Sequence, residues 1–162
     1  MGEEYKLVTF KLRDDEYGFE IGFVQEVRRM KKVVYVPEAP AFVEGVIKLR
    51  GEVIPVVDLK KRLGLAKKER EKSARIIIVK VDDHILGVIV DSVEEVIGIS
   101  LQDIDHPNSV MASVTFLKGV GKLPGRMILI VDIAKVLTME EKELLDAVPK
   151  KVKAVKKKGE ER

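Results

Sequence analysis

The chain has 162 residues, 46% apolar and 35% charged, with no cysteine and no tryptophan. That length suits one ordinary domain or two very small ones, and the lack of cysteine excludes disulfides, thiolate catalysis and thiolate metal sites. The formal charge is +3, but residues 149–162 alone hold six lysines, one arginine and two glutamates, so residues 1–148 carry −2 by difference and are not the basic platform of a nucleic-acid binder.

No apolar run reaches the roughly 20 residues that span a bilayer. The opening "MGEEYKLVTF" is acidic and then strand-like, unlike a basic region followed by an apolar leader. Lys6 stands where a myristoylation signal needs Ser or Thr. The expectation is a cytoplasmic protein.

In chain order, Val8, Phe10 and Leu12 alternate with more polar neighbours, as in a half-buried strand. Asp14-Asp15 predicts a turn, and Tyr17, Phe19 and Ile21 alternate again, completing a hairpin. Gly45 to Leu49 and Val53 to Val57 predict a second hairpin, turned at Arg50-Gly51. Pro55 lacks an N–H, so its strand is expected at an edge or a bulge. Asp58 then caps a short helix over "LKKRL", with Leu59 and Leu63 on one face and Gly64 at its end. "RIIIVKV" and "ILGVIV" are apolar on both faces and predict strands buried on both sides. Near the end, Thr138 and Glu141 form a capping box before Leu144, Leu145 and Val148, and Pro149 stops that helix. The lysine-rich residues 149–162 are expected to be a solvated, disordered tail.

The chain repeats itself. Residues 42–65 match residues 116–139 at 11 of 24 positions without a gap, including Gly45/Gly119, Gly51/Gly125 and Asp58/Asp132. An earlier block repeats more faintly at an offset of 69, with Asp14/Asp83, Gly18/Gly87, Val24/Val93, Glu26/Glu95 and Val27/Val96 coinciding. Both halves carry the same elements in the same order, a tandem duplication. With about five short strands per half, each copy alone would have a marginal core. The expected fold is all-β: two small β-barrels packed on each other, over residues 1–70 and 71–148, with minor helices. N-terminal residues can contribute to the second barrel.

Chemistry is harder to find. Asp58 and Asp132 invite the thought of a shared acid pair, but each heads a short helix, where an N-cap role explains it. His84 follows the Asp82-Asp83 turn and His106 lies in "QDIDHPNS", neither in a metal-ligand spacing. There is no glycine-rich phosphate loop and no Gly-x-Ser-x-Gly. No catalytic residue, metal site or cofactor is expected.

One difference between the copies stands out. Pro124-Gly125 is a natural turn pair, whereas Arg50 occupies the matching slot. An exposed guanidinium there could grip a carboxylate bidentately, or simply be a solubilising charge.

The stretches "YGFEIGFVQEVRR", "PAFVEGVIKLRGEVIPVVDLKKRLGL", "GVIVDSVEEV" and "FLKGVGKLPGRMILIVDIAKVL" resemble, in order and spacing, the CheW family of chemotaxis coupling proteins. The resemblance runs from about Tyr5 to Val148. It departs at Lys48, where the family commonly has Asn before Leu-Arg-Gly. It implies two SH3-like β-barrel subdomains and a non-catalytic adaptor, joining methyl-accepting chemoreceptors to the regulatory domain of the histidine kinase CheA beneath receptor arrays. It also implies a location at the inner face of the membrane, no direct membrane insertion, no nucleic acid, and a monomer when alone.

Carried over by position, Val24, Glu26, Gly45 and Arg50 match places important for coupling. Ile21, Val24, Val27 and Val93 match the apolar groove that takes the receptor's hairpin tip, with Glu26 and Arg50 beside it. Gly45, Arg50 and the stretch holding Asp105, His106 and Val110 match kinase-facing surfaces. Two other readings remain: a regulatory domain that binds a histidine kinase without bridging it to receptors, and an enzyme using Asp58 and Asp132.

Overall fold

The computed structural model describes residues 4–65, 70–106 and 114–136. The helix expected over 138–148, the lysine-rich stretch and Val110 lie outside the described residues.

The described residues form eleven strands: β1 (Glu4–Leu12), β2 (Asp15–Glu20), β3 (Val24–Arg29), β4 (Val43–Leu49), β5 (Glu52–Asp58), β6 (Arg75–Val81), β7 (His84–Val90), β8 (Ser92–Ser100), β9 (Ile104–Asp105), β10 (Leu117–Leu123) and β11 (Arg126–Val131). One-turn helices α1 (Leu59–Arg62) and α2 (Ile133–Val136) follow β5 and β11, and 3-10 turns lie at Ile21–Phe23 and Leu101–Asp103. The chain is all-β, as its alternation requires.

Two sheets form, in the orders β8-β1-β2-β11-β10-β9 and β3-β6-β7-β5-β4. The duplication explains both. Replacing each strand by its repeat equivalent turns one order into the other, with the isolated Val34–Val46 bridge standing where β9 pairs with β10. Details repeat as well. The parallel contact of β2 with β11 sets Gly18 against Ile130, and that of β7 with β5 sets Gly87 against Val56. Each sheet draws strands from both halves of the sequence: the β1–β2 hairpin joins the strands of residues 92–131, and the β6–β7 hairpin joins those of residues 24–58.

That exchange accounts for hairpin strands that are apolar on both faces. In β6, Ile77, Val79 and Val81 point into a central core, whereas Ile76 and Ile78 point into a second core with Ile47, Leu49, Ile54, Val56 and Ile89. In β1, Phe10 and Leu12 join the central core and Leu7 a third, with Ile99, Ile104, Ile128 and Ile130. The central core therefore lies where the two hairpins meet. The β1–β2 hairpin of the first copy supplies three aromatics, Phe10, Tyr17 and Phe19, with the Phe10 and Phe19 rings 4.6 Å apart. The equivalent positions in the second copy are the aliphatics Val79, Leu86 and Val88. Aromatic faces thus meet branched aliphatics and fill the volume efficiently.

Three local expectations shift. The first hairpin turns at Arg13-Asp14, one residue earlier than expected, because Leu12 pairs with Asp15; Arg13 takes a left-handed φ of 59°. Ile21 leaves the strand alternation for the 3-10 turn and is exposed. Pro55 lies on an interior strand, since β5 is flanked by β7 and β4. It is tolerated there because Val46, opposite it, turns its own N–H and C=O outward to Val34, so the Pro55–Val46 pair needs no N–H from proline. On its other side the ladder with β7 begins one residue later, at Val56.

The helix prediction fits in detail. Asp58 is buried and its side chain accepts from Lys61 N at 3.3 Å. Leu65 N then donates to Lys60 O and Gly64 N to Lys61 O, with Gly64 at φ 74°, a Schellman ending. Asp132 repeats the cap by accepting from Ala134 N at 3.1 Å.

Candidate functional site

The first-copy candidates gather along an edge. β3 is an outer strand, and the 3-10 turn leads into it. Its residues alternate between partly buried Val24, Glu26 and Arg28 and exposed Gln25, Val27 and Arg29. Val24 pairs across to Val79 and packs on the central core, while Val27 and Ile21 present exposed apolar surface. Val93, the repeat equivalent of Val24, pairs with Phe10 and packs on the same core from β8. Both valines therefore sit at the border of the central core, partly open to solvent.

Arg50 joins this edge through Glu26. Its Nη1 lies 2.6 Å from Glu26 Oε2, and Arg28 Nη1 donates to the other oxygen, Glu26 Oε1, at 2.9 Å. The hydrogen bond from Arg28, with the hydrogen bond and charge of Arg50, outweighs desolvation and holds the Glu26 carboxyl below its ordinary range. The side chain of Arg50 is 72% exposed, so it keeps donors free for a second carboxylate.

The turn itself is strained. Leu49 pairs with Glu52, leaving a two-residue loop in which Arg50 has φ 49° and Gly51 φ 80°. Two successive left-handed residues define the type I′ hairpin turn, whose twist suits the flanking strands. For a residue with a Cβ this conformation costs roughly 1–2 kcal/mol. Asn or Asp would adopt it with less strain, so turn formation does not account for an arginine here.

Pro124 cannot take a positive φ. The second copy accordingly uses a turn with a left-handed Gly125 alone, φ 71°. Its arginine stands two residues further on. Arg126 Nη1 donates to Glu95, the equivalent of Glu26, at 3.0 Å, while Nε and Nη2 grip Glu16 bidentately at 3.1 and 3.0 Å. Both barrels therefore join the same glutamate position to an arginine of the same hairpin. In the second the arginine is tied along a strand by two carboxylates; in the first it is held out on the turn by one. The coincidence of Glu26 and Glu95 in the repeat was the available signal for this pairing.

Gly45 is buried with φ 148°, and a Cβ there would come 2.1 Å from the Val34 carbonyl oxygen. Its lack of a side chain lets the segment around Val34 lie directly on β4. Asp105 and His106 belong to the other sheet, at its β9 edge. There Asp105 pairs with Lys122 at 3.0 Å, and His106 Nδ1 lies 3.4 Å from the Lys118 carbonyl; both residues are exposed. They are thus on a different sheet from Arg50.

Asp58 and Asp132 cap separate helices. Asp58 is also paired with Arg70, 3.0 Å away, which reaches Glu44 at 3.1 Å. Burial raises the Glu44 carboxyl, but hydrogen bonds from Lys61 and Arg70 outweigh it and the net shift is downward. Among the described residues no cluster of three metal-ligating side chains occurs, and no helix is long and apolar enough to cross a membrane.

The CheW-like domain family model matches residues 6–141. The chain is 33% identical over 149 residues to the chemotaxis protein CheW of Treponema pallidum, covering 88% of each chain. It is 35% identical over 140 residues to that of Rhizobium meliloti, covering 85% of this chain and 90% of the relative. A crystal structure of the scaffolding protein TtCheW from Thermoanaerobacter tengcongensis superposes with a TM-score of 0.79 at 39% identity, over 87% of this chain and 96% of that one. The repeated strand order, the duplicated glycines and these matches agree: the chain belongs to the CheW-like family.

Proposed function

We propose that this protein is a non-catalytic chemotaxis adaptor that couples methyl-accepting receptors to the histidine kinase CheA. Membership of a family whose relatives are named as chemotaxis and scaffolding proteins supports the reading. The observation that carries it is Arg50, left-handed on its turn and held outward by Glu26 beside the exposed Ile21 and Val27. In this assignment Ile21, Val24, Glu26, Val27, Arg50 and Val93 meet the receptor's hairpin tip, and Gly45, Arg50, Asp105, His106 and Val110 serve the kinase's regulatory domain. The protein would work in the cytoplasm, at the inner face of the membrane, through receptor arrays.

Energetics fit an exchangeable scaffold. Each apolar side chain buried in a partner contributes roughly 1.5–3 kcal/mol, and a charge-assisted arginine contact about the same. Three or four such anchors leave micromolar affinity after association costs, and many joined weak contacts strengthen an array. The test is titration of the protein against a CheA regulatory domain and a receptor hairpin fragment. Binding of both supports the adaptor; binding of the kinase domain alone would replace it with a regulatory domain that does not bridge.

A further inference from the structure

The five residues from Arg28 to Lys32 hold four cations around Met30, and from Arg28 to Arg50 the chain carries six cations against two acids. The fold draws several of them onto one face. Met30 packs inward on the core of the five-stranded sheet. Lys31 Nζ donates to the Lys48 carbonyl at 2.6 Å, which fixes the segment after β3 against the end of β4, beside the Arg50 turn. Of the two acids, Glu44 is engaged by Lys61 and Arg70. Glu26, just ahead of this stretch, serves two guanidiniums with one carboxylate. The face keeps an excess of positive charge.

The same segment exposes apolar surface. Val34 is 38% and Tyr35 70% exposed, yet Val34 is tied to Val46 by two backbone hydrogen bonds of 2.8 and 2.9 Å. An aromatic side chain is thus offered to solvent from anchored backbone.

We infer that Lys31, Lys32, Val34 and Tyr35 form a docking surface, near the Arg50 turn, for an acidic protein segment. The lysines supply steering and charge-assisted hydrogen bonds, and the tyrosine and valine supply area at low entropic cost. A nucleic acid or an anionic membrane fits less well, because residues 1–148 carry a net −2 and Glu38 and Glu52 punctuate this region. None of the four residues belongs to the site assigned above. The inference rests on the adaptor reading only in taking the partner to be a protein.

A fluorescein-labelled peptide of alternating glutamate and leucine, titrated with the whole chain, tests it against a lysine-for-glutamate peptide, oligothymidylate and phosphatidylglycerol vesicles. The expected result is saturable, salt-sensitive binding of the glutamate peptide, with the other three probes weaker. Lys31→Gln with Lys32→Gln should weaken it at least about tenfold, and Tyr35→Ser, which leaves every charge in place, by about threefold or more. Lys32→Gln alone, which spares the Lys31–Lys48 hydrogen bond, should act in the same direction at unchanged melting temperature. Absence of binding, indifference to these variants, or tighter binding of oligothymidylate or vesicles would overturn the inference. Parallel titrations with the kinase domain and receptor fragment decide the adaptor reading separately, so either can fail while the other stands.

Discussion

Arg50 and Glu26 concentrate the functional question in two side chains. Replacing Arg50 by glutamate brings a second carboxylate near Glu26, but Arg28 still donates to Glu26 and the 72%-exposed side chain at position 50 can turn into solvent. The fold should survive, with a melting temperature within a few degrees of the parent, while affinity for the receptor fragment or the kinase domain falls at least about tenfold. Arg50→Gly is the complementary variant: it relieves the left-handed backbone and should slightly raise stability while still weakening binding. Thermal melts and calorimetry on the same samples separate the two effects.

The glutamates also make a prediction in pH. The Glu26 and Glu44 carboxyls are held below their ordinary value of 4.5 in the folded chain. Their contribution to stability is therefore complete above the unfolded value and is lost as pH falls through the folded one. Melting temperature should decline from about pH 4.5 downward, and Glu26→Gln with Glu44→Gln should flatten that decline. An equally steep acid limb in the double variant would show that other carboxylates control it.

Among the elements, alternation made most strands readable in the sequence, because a period of two is imposed wherever one face is buried. The short helix after Asp58 was equally legible, since cap, apolar face and glycine ending are all local. Pro55 was not: its tolerance depends on Val46 facing Val34, a contact that only the folded sheet creates. Gly45 is similar, its requirement set by the Val34 carbonyl lying over it. Gly45→Ala should push that segment off β4, lower the melting temperature and speed hydrogen exchange at the Val34 and Val46 amides. Protection of those amides unchanged from the parent would contradict this account of the glycine.

Viewed whole, the molecule is a duplication whose hairpins are exchanged, so that each sheet contains strands from both halves. The repeat was visible in the sequence and drew attention to Arg50 and Glu26; the other residues of the candidate site come from the family resemblance. The exchange was expected only in part, as N-terminal residues contributing to the second barrel, because strand pairing between distant hairpins leaves no local pattern; what the sequence held was its consequence, strands apolar on both faces. Because the central core is built where the two hairpins meet, unfolding should be one cooperative transition rather than two. Phe10→Ala should cost about 3–5 kcal/mol and shift that single transition, and residues 1–70 expressed alone should not fold. Two separable calorimetric transitions would contradict the interlocked core.

The most direct test of the proposed coupling is a calorimetric titration of this protein into a CheA regulatory domain, followed by a receptor hairpin fragment added to the complex. Saturable binding of both partners at once, each weakened in Arg50→Glu, is the predicted result. Binding of one partner that excludes the other, or of neither, would contradict it.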